Sequence, residues 1–489
     1  MRAFLLFLAV SVLAAAGAQP PAAELFPAEV ARLVKANGIP ADRVGIYVAA
    51  IDGEPLVAHN MDKQFNPASA IKLVVSQAAL DILGPHHTWK SQLRAVGPVA
   101  AGELRGDLYF VGSGDPTITY ERLMGMVAGL RLRGIERING SVIIDDTLFD
   151  LPRHDPASFD GAGARPYNGA AGAAMVGFGS SRIVIRNSTE GIIAFSEPAS
   201  TTFVLDNQLN SVRSRCRGNW RGRIRELLHR KSDGTARLEL KGRFPTGCGE
   251  LSFYILAQDD PGAHLAGAIE GNFELLGGSS GASWRRGKVP AKSRLMAESQ
   301  SAPLSEALVG MNKHSNNIMA RNVFLSLAAD GGIEPYTVTG ANAAVAAWME
   351  RNGIASEGLL IENGSGLSRT SRITPRQFAA VLELAARSPL YAELTATLPI
   401  LGIDGTTRKW LRRSDAAGNV HIKTGTLRSV RTAAGFVHTS SGRDLLFVCM
   451  IDWGNTAAGR KLIQELLAWA HQQGDKMVAA GDPVESAGG

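Results

Sequence analysis

Helical and strand-like patterns of apolar residues alternate near the start of the chain. Residues 27–35 are amphipathic at helical spacing, and residues 44–50 form an apolar run of strand length. Asn66-Pro67 then opens a second helix, because proline suits a first helical turn, and Gly84-Pro85 ends it. The apolar run between these signals predicts a helix over residues 71–83.

The middle of the chain has a different pattern. From about residue 90 to about residue 285, glycines multiply, apolar runs are short and turn signals are frequent. Residues 142–144 have the composition of a strand, and residues 200–255 are rich in β-forming and basic residues. We predict that this part forms one or two inserted β-rich modules.

Core-like sequence returns near residue 303. Helical patterns cover residues 304–327, 341–351, 375–387 and 462–471, and strand patterns cover residues 420–423, 432–438 and 445–451. Strands that follow one another through a short turn favour an antiparallel sheet over a doubly wound parallel one. The predicted fold is therefore mixed α/β (α+β), with an antiparallel sheet flanked by helices and cut open by a long insertion.

The two ends of the chain differ from the rest. Met1-Arg2 is a positive start, residues 3–16 are apolar and uncharged, and Ala16-Gly17-Ala18 is a small-x-small cleavage signature. Since this run is short for a membrane span, we predict a secretory signal peptide over residues 1–18, with an uncleaved anchor as the alternative. Either one places the folded part outside the cytoplasm, in the periplasm.

Residues 475–489 are small and polar and are predicted to be a disordered tail.

Composition narrows the partners. Of 489 residues, 45% are hydrophobic and 20% are charged, which is ordinary for globular domains. The net charge is +6, and much of the excess comes from one basic stretch, Arg213, Arg215, Arg217, Arg221, Arg223, Arg225 and Arg230. Nucleic acid is not a partner for an exported protein. We interpret the stretch as a solvated basic face, with binding of an anionic cell-wall polymer as the alternative.

The three cysteines do not suggest a metal site. Cys216 and Cys248 lie in one polar region and could pair in an oxidising compartment, whereas Cys449 lies in an apolar run typical of a buried free thiol. The sequence has no Cys-x-x-Cys pair or Cys/His cluster, and the glycines of residues 169–179 do not match a dinucleotide-binding fingerprint. We predict neither a metal nor a cofactor.

The first motif with candidate chemistry is Ser69-Ala70-Ile71-Lys72. It places a serine in the first turn of a helix and a lysine on the same helix face. A lysine whose pKa is lowered can take the proton of the serine hydroxyl and make it a nucleophile. Alone the motif is weak, because a helix-capping serine and a surface lysine have the same spacing.

The second motif is Ser315-Asn316-Asn317, which interrupts the apolar pattern of a helical region. Ser315 could relay a proton, and the Asn317 amide could bind a substrate carbonyl or orient a lysine. An exposed polar helix turn would also fit these residues.

The third motif is Lys423-Thr424-Gly425-Thr426, at the end of a predicted strand. Lys423 and Thr424 could hold a substrate carboxylate, and Gly425 would let the substrate backbone approach closely. The backbone N–H groups of Thr426 and Ser69 could together form an oxyanion hole. A charged strand end followed by a turn would also fit these residues.

The combination is more informative than any motif alone. Ser-x-x-Lys, Ser-Asp-Asn and Lys-Thr-Gly, in this order, are the signature set of class A β-lactamases and penicillin-binding proteins. Asn316 replaces the aspartate of the middle motif. Ser315 follows Ser69 by 246 residues, and the compact fold of a β-lactamase has no room for an interval of this length.

The chain resembles the class C low-molecular-mass penicillin-binding proteins, the D-alanyl-D-alanine carboxypeptidase/endopeptidase family. Besides the three motifs, the resemblance rests on residues 106–117, 145–149, 166–168, 362–369 and 398–406. It implies a β-lactamase/transpeptidase-like catalytic domain of residues 24–90 and 286–474. It also implies two inserted domains, domain II of residues 91–175 and 256–285, and domain III of residues 176–255.

The resemblance also implies the chemistry. Ser69 would attack the carbonyl between two D-alanines of a peptidoglycan stem peptide or a D-amino-acid cross-link, with Lys72 as the base. Ser315 and Asn317 would support proton transfer and substrate binding, and Lys423 and Thr424 would hold the substrate carboxylate. Water would hydrolyse the acyl-enzyme, and penicillins would acylate the same serine as inhibitors.

The resemblance further implies that Asp145 contacts the free amine of a diaminopimelate side chain, with the adjacent Asp146 as the alternative. Peripheral association with the membrane or the cell wall is compatible with the sequence. Carboxypeptidase and endopeptidase activities are not separated by it, and neither is the oligomeric state.

Two other functions stay open at this point. A β-lactamase or esterase of the same fold is disfavoured by the inserted domains and the Lys-Thr-Gly motif, and fast turnover of penicillin would favour it. A non-catalytic scaffold that binds the cell wall is disfavoured by the intact set of Ser69, Lys72 and Lys423. Binding of peptidoglycan without acylation would favour the scaffold.

Overall fold

The computed structural model describes residues 24–476 except residues 52, 282 and 441. The predicted signal peptide lies outside the described residues, as does the predicted tail from residue 477 onward. Among the helices of the described part, none has both the length and the apolarity that crossing a membrane requires.

The helices, in chain order, are α1 Ala28–Ala36, α2 Ile71–Ile82, α3 Tyr120–Leu132, α4 Pro261–Leu275, α5 Leu304–Lys313, α6 Asn317–Ser326, α7 Val338–Arg351, α8 Pro375–Arg387, α9 Tyr391–Thr397 and α10 Thr456–Lys476. The strands are β1 Val44–Ala50, β2 Pro55–His59, β3 Lys90–Ala95, β4 Val99–Ala100, β5 Glu103–Leu104, β6 Leu108–Val111, β7 Arg137–Ile138, β8 Val142–Asp145, β9 Ser181–Ser188, β10 Gly191–Glu197, β11 Phe203–Arg215, β12 Ile224–Arg230, β13 Ala236–Gly247, β14 Glu250–Ile255, β15 Ser279–Ser280, β16 Trp284–Arg286, β17 Arg294–Gln300, β18 Val420–Leu427, β19 Val430–Val437 and β20 Leu445–Asp452.

The main sheet joins the two ends of the chain. Its order is β18-β19-β20-β1-β2, and all neighbouring strands are antiparallel. Side chains alternate between its faces: Phe436 and Met450 belong to an apolar core shared with α2 and α5 to α9, whereas Phe447 and Cys449 pack with α1 and α10. The predicted antiparallel sheet between helical layers is confirmed, and Cys449 is a buried free thiol.

The helix predicted over residues 304–327 is two helices. The chain leaves α5 after Lys313, and Ser315 adopts a left-handed conformation with φ of +54°. Asn316 then starts α6, because its side chain accepts hydrogen bonds from the N–H groups of Ile318 and Met319. The polar cluster therefore marks a helix boundary and places Ser315, half-buried, at a bend.

The first inserted unit contains two helices, α3 and α4, besides the strands that the sequence predicts. Its sheet has the order β16-β8-β6-β3-β17, and α3 and α4 pack against it in one apolar core. Strand β17 pairs with β3, which carries this sheet to Gln300, beyond the boundary predicted at residue 285. We propose that domain II ends near residue 300.

The second inserted unit is β-rich, as predicted. It has two three-stranded sheets, β10-β9-β14 and β11-β13-β12, around a core that includes Phe203, Leu238 and Phe244. Cys216 and Cys248, whose pairing the sequence left open, form a disulfide at one end of it. Its separate sheets and core support a third domain near the predicted residues 176–255.

Candidate active site

Ser69 lies at a bend that directly precedes α2. Residues Ala68–Ala70 form a single 3₁₀ turn, and Ala68 has a left-handed φ of +44°. The Asn66 side chain holds the bend, since its Oδ1 accepts from the Ala68 N–H at 2.8 Å and its Nδ2 donates to the Ser368 carbonyl at 2.9 Å. The Ser69 hydroxyl is thereby presented, half-buried, to a cavity of about 990 Å³.

Lys72 is fully buried in the first turn of α2. Its Nζ donates to Ser69 Oγ at 3.2 Å, to Asn317 Oδ1 at 2.8 Å and to the Ser365 carbonyl. Burial, followed by the positive charges of Lys423 and Arg321, lowers the pKa of Lys72 well below the ordinary lysine value. A neutral amine at this position can accept the proton of the Ser69 hydroxyl.

Lys423 is also fully buried and faces the same site from β18. Its Nζ donates to Ser315 Oγ at 3.0 Å and to the Thr424 carbonyl at 2.9 Å. Burial lowers the pKa of Lys423 to about 7. All three sequence motifs therefore converge, and Ser69, Ser315, Asn317 and Thr426 line one cavity.

The strand that carries Lys423 packs against the turn that carries Ser69. A Cβ on Gly425 would lie 2.6 Å from the Pro67 carbonyl oxygen and 3.0 Å from the Ser69 nitrogen. The close approach that we expected for substrate is thus made first by the enzyme's own backbone. Thr424 Oγ1 lies 3.0 Å from Thr406 Oγ1, and the Thr426 hydroxyl accepts from Arg431.

The loop of residues 362–369 supplies a group that the sequence did not indicate. The sequence suggested only a tight turn near the site, yet the Ser365 carbonyl holds the Lys72 amine. Asn363 Oδ1 fixes this turn by accepting from Ser365 N at 3.0 Å and from Ser365 Oγ at 2.7 Å. Gly366, with φ of +76°, lets the loop lie against Ala68, where a Cβ would meet the Ala68 oxygen at 1.9 Å.

Asp160, Tyr167 and Arg369 also line the Ser69 cavity, and none was predicted as a site residue. Asp160 Oδ2 accepts from the Tyr167 hydroxyl at 2.7 Å, and its Oδ1 accepts from Asn168 Nδ2 at 2.9 Å. Burial raises the pKa of Asp160. These two hydrogen bonds, a third hydrogen bond from the Ala162 N–H and the positive charge of Arg369 outweigh burial, so the pKa of Asp160 is lowered. The one sequence signal was the resemblance of residues 166–168 to the family.

Asp145 and Asp146 are engaged elsewhere. Asp145 is buried at the end of β8, where its oxygens accept from the Thr147 hydroxyl at 2.6 Å and from the Val289 N–H at 2.7 Å. Asp146 is paired with Arg286 at 2.7 Å and lines a different cavity, of about 840 Å³. Contact of either carboxylate with a substrate amine stays a prediction, and the contacts of Asp145 favour a structural role.

Arg321 adds a third buried cation. It follows Asn317 by one helical turn on α6, and its guanidinium donates to the Gly169 carbonyl. Within the described part of the chain no carboxylate forms a salt bridge with it, and burial lowers its pKa to about 10. The charge of Arg321 thus favours the neutral form of Lys72.

The geometry is that of a serine acyl-transfer site. A hydroxyl at a helix start lies beside an amine of lowered pKa, and a second buried lysine donates to the Ser315 hydroxyl, which lines the same cavity. A family model, the D-Ala-D-Ala carboxypeptidase 3 (S13) family, matches residues 27–473. The chain belongs to this family and is a serine-type D-Ala-D-Ala carboxypeptidase, a hydrolase of the penicillin-binding class. The family predicted from the motifs is confirmed.

Individual relatives agree with this assignment. The chain is 28% identical over 446 residues to the D-alanyl-D-alanine carboxypeptidase of Actinomadura sp. (strain R39). This alignment covers 86% of this chain and 80% of the relative. It is 27% identical over 428 residues to a D-alanyl-D-alanine carboxypeptidase of Haemophilus influenzae, covering 84% and 86%. The crystal structure of penicillin binding protein 4 from Haemophilus influenzae superposes with a TM-score of 0.74 at 22% identity, covering 92% of this chain and all of that one. That protein has also been crystallised with a β-lactam.

Proposed function

We propose that this chain performs the family's reaction with Ser69 as nucleophile and Lys72 as general base. The observation that carries the proposal is the contact of Lys72 Nζ with Ser69 Oγ at 3.2 Å, made by an amine with no exposed surface. Because burial favours the neutral amine, the base is present without a histidine or a metal in this role.

The acylation step follows from this placement. As Ser69 Oγ attacks the carbonyl carbon between two D-alanines, its proton moves to Lys72 Nζ. The N–H groups of Ser69 and Thr426 stabilise the oxyanion. When the C–N bond breaks, Lys72 gives this proton to the leaving amine by way of the Ser315 hydroxyl, which lies 3.0 Å from Lys423 Nζ, and Lys72 becomes neutral again. Water then attacks the ester, Lys72 again takes the proton, and Ser69 is released.

Substrate binding is assigned to residues of β18 and α6 beside Ser69. Lys423 and Thr424 hold the terminal carboxylate, Asn317 orients Lys72 and binds the substrate backbone, and Gly425 keeps the strand close to Ser69. Cleavage of a cross-link places a D-amino-acid carboxylate in the same position. The site therefore supports both carboxypeptidase and endopeptidase reactions on peptidoglycan stem peptides.

The side-chain amine of the stem peptide is assigned to Asp160. This carboxylate lines the cavity of Ser69, whereas the described lining of that cavity includes neither Asp145 nor Asp146. A lowered pKa keeps Asp160 ionised at neutral pH and able to pair with an ammonium group.

Two further parts of the proposal concern inhibition by penicillins and the cellular location of the protein. The β-lactam complex of the Haemophilus influenzae protein supports acylation of Ser69 by penicillins in this chain. The apolar start over residues 3–16 supports export to the periplasm, where peptidoglycan lies.

Release of D-alanine from a stem peptide that ends in D-Ala-D-Ala tests the proposal. We expect Ser69→Ala and Lys72→Met to lose about 10⁴-fold or more in kcat/KM, as triad serines and bases do in other serine hydrolases. Ser356→Ala, which changes a half-buried serine of the same domain outside the lining of the Ser69 cavity, is the matched control and should keep full activity. A cross-linked dimer assayed in parallel measures the endopeptidase reaction. Full activity of Ser69→Ala would refute the assignment.

A further inference from the structure

The topology of domain III gathers arginines at one end of a sheet. Strands β11 and β13 run parallel, so Arg213 and Arg215 reach the same end as Arg243. Strand β12 runs antiparallel to β13 and begins at that end, which adds Arg223 and Arg225. Arg217 follows Cys216, whose disulfide to Cys248 ties the end of β11 to the start of β14. We call this set the basic tip: Arg213, Arg215, Arg217, Arg223, Arg225 and Arg243.

The charges of the basic tip are exposed and uncompensated. All six side chains are exposed, and among the residues that the structure describes no carboxylate forms a salt bridge with them. Neighbouring arginines behave differently. Arg221 is paired with Glu226 at 2.5 Å, Arg237 with Asp206 at 2.5 Å, and Arg230 donates to three backbone carbonyls. Free positive charge is therefore concentrated at the tip.

We propose that the basic tip docks the enzyme on an anionic phospholipid surface by binding lipid phosphates. The proposal rests on the proposed export, which places the chain beside a membrane. Arginine is well suited to phosphate because its planar guanidinium donates two parallel hydrogen bonds. Clusters of four to eight basic residues bind anionic bilayers through such contacts.

The shape of the tip favours a plane over a linear polymer. The arginines are spread across the ends of three neighbouring strands and do not follow one line, so a flat surface can touch many of them at once. The exposed large apolar residues of this domain, Phe195, Val204 and Tyr254, pair at register positions away from this end. Binding is therefore electrostatic, without insertion, and salt should weaken it.

Vesicle sedimentation of the mature chain tests the proposal. Vesicles of phosphatidylcholine with phosphatidylglycerol should bind the protein at low salt, and vesicles of phosphatidylcholine alone should not. Replacing Arg213, Arg215 and Arg217 by glutamine should weaken binding about 100-fold, since each arginine near an anionic bilayer contributes about fivefold. A control that removes the same charge elsewhere, Lys288→Gln with Lys292→Gln and Arg294→Gln, should stay within about twofold of the wild type in the same assay.

Hydrolysis of a soluble stem peptide is measured for every variant. Unchanged hydrolysis by the tip variant shows that it is folded and separates this test from that of the proposed function. Equal binding of the tip variant and the wild type would overturn the proposal, as would equal loss in the control. Retention on a phosphodiester cell-wall polymer without affinity for vesicles would assign the tip to that polymer and overturn the membrane assignment.

Discussion

At the scale of single residues, the site depends on two lysines without exposed surface, Lys72 and Lys423. Lysine is almost never buried without a charged partner, because burial penalises the ammonium form. In the proposed mechanism the two lysines have opposite roles: Lys72 works as a neutral base, and Lys423 works as a cation once a substrate carboxylate arrives. The same burial that destabilises both charges makes each responsive to its neighbours.

The first prediction concerns the alkaline side of the pH profile. Since the pKa of Lys423 is about 7 in the free enzyme, this lysine loses its charge as the pH rises through that value. We expect kcat/KM to fall above about pH 7, by up to tenfold per pH unit, through a rising KM. A peptide whose terminal carboxylate is replaced by an amide should show no such fall. Equal profiles for the two peptides would contradict the role of Lys423.

The second prediction concerns Arg321. Its charge lowers the pKa of Lys72, so Arg321→Gln should raise that pKa and move the acid limb of the kcat/KM profile to higher pH. We expect a loss of kcat/KM at acidic pH that shrinks as the pH rises, because a higher pKa lowers the fraction of Lys72 that is neutral. Arg321→Lys keeps the charge and should keep most of the profile. An unshifted acid limb in Arg321→Gln would refute this coupling.

Local patterns allowed some of these residues to be predicted and hid others. Ser69 and Lys72 were found because their spacing falls on one helix face. Lys423 was found because it ends the strand predicted over residues 420–423, although the strand in the structure continues to Leu427. The Ser365 carbonyl, Arg321 and Asp160 reach the site through contacts between segments far apart in sequence, so no local period marks them. The sequence did not reveal them for this reason.

At the scale of elements, the break between α5 and α6 places Ser315. Asn316 caps α6 with its side chain, and asparagine and aspartate are about equally good at this position. The departure from the usual Ser-Asp-Asn motif therefore keeps the structural role of the middle residue. Periodicity predicted one helix here because apolar positions continue on both sides of the break.

The third prediction follows from this cap. Asn316→Asp should leave the free energy of unfolding within about 0.5 kcal/mol of the wild type, and Asn316→Ala should lower it by about 1 kcal/mol. Because the Ala variant also frees the bend at Ser315, its kcat should fall more than that of the Asp variant. Urea unfolding and peptide hydrolysis measure the two effects. Equal stability of all three proteins would show that the cap is unimportant.

The inserted helices were missed for a related reason. Helix α4 is buried along nearly its whole length, so it lacks the polar face that identifies an amphipathic helix. Helix α3 carries glycines in its sequence and lies within a glycine-rich region. In contrast, α8 has a buried face and a complete capping box, and its predicted bounds match the structure.

At the scale of the whole molecule, the inserted segment of residues 159–169 helps to build the active site. The Asn317 amide donates to the Tyr167 carbonyl at 3.0 Å, Arg321 donates to the Gly169 carbonyl, and Asp160 faces the cavity of Ser69. The insertion thus contacts two residues of α6 that surround Lys72. The family resemblance indicated Asp145 or Asp146, and no local pattern marked Asp160.

The fourth prediction compares two carboxylates of the insertion. Asp160→Asn should raise KM about tenfold for a stem peptide with a free side-chain amine, because one ion pair in the cavity is lost. The same peptide acetylated on that amine should be unaffected by the substitution. Asp145→Asn should instead lower stability, since Asp145 accepts from Thr147 and Val289. Loss of amine selectivity in Asp145→Asn alone would restore Asp145 as the specificity residue.

The central claim is that Ser69 forms the acyl-enzyme, and one measurement tests it most directly. The mature protein is incubated with a labelled penicillin, and the adduct is located by peptide mass spectrometry, with Ser69→Ala as the control. We predict one long-lived adduct on the peptide that contains Ser69, absent from the control. An adduct on another serine, or no adduct in a protein that is folded by circular dichroism, would contradict the mechanism.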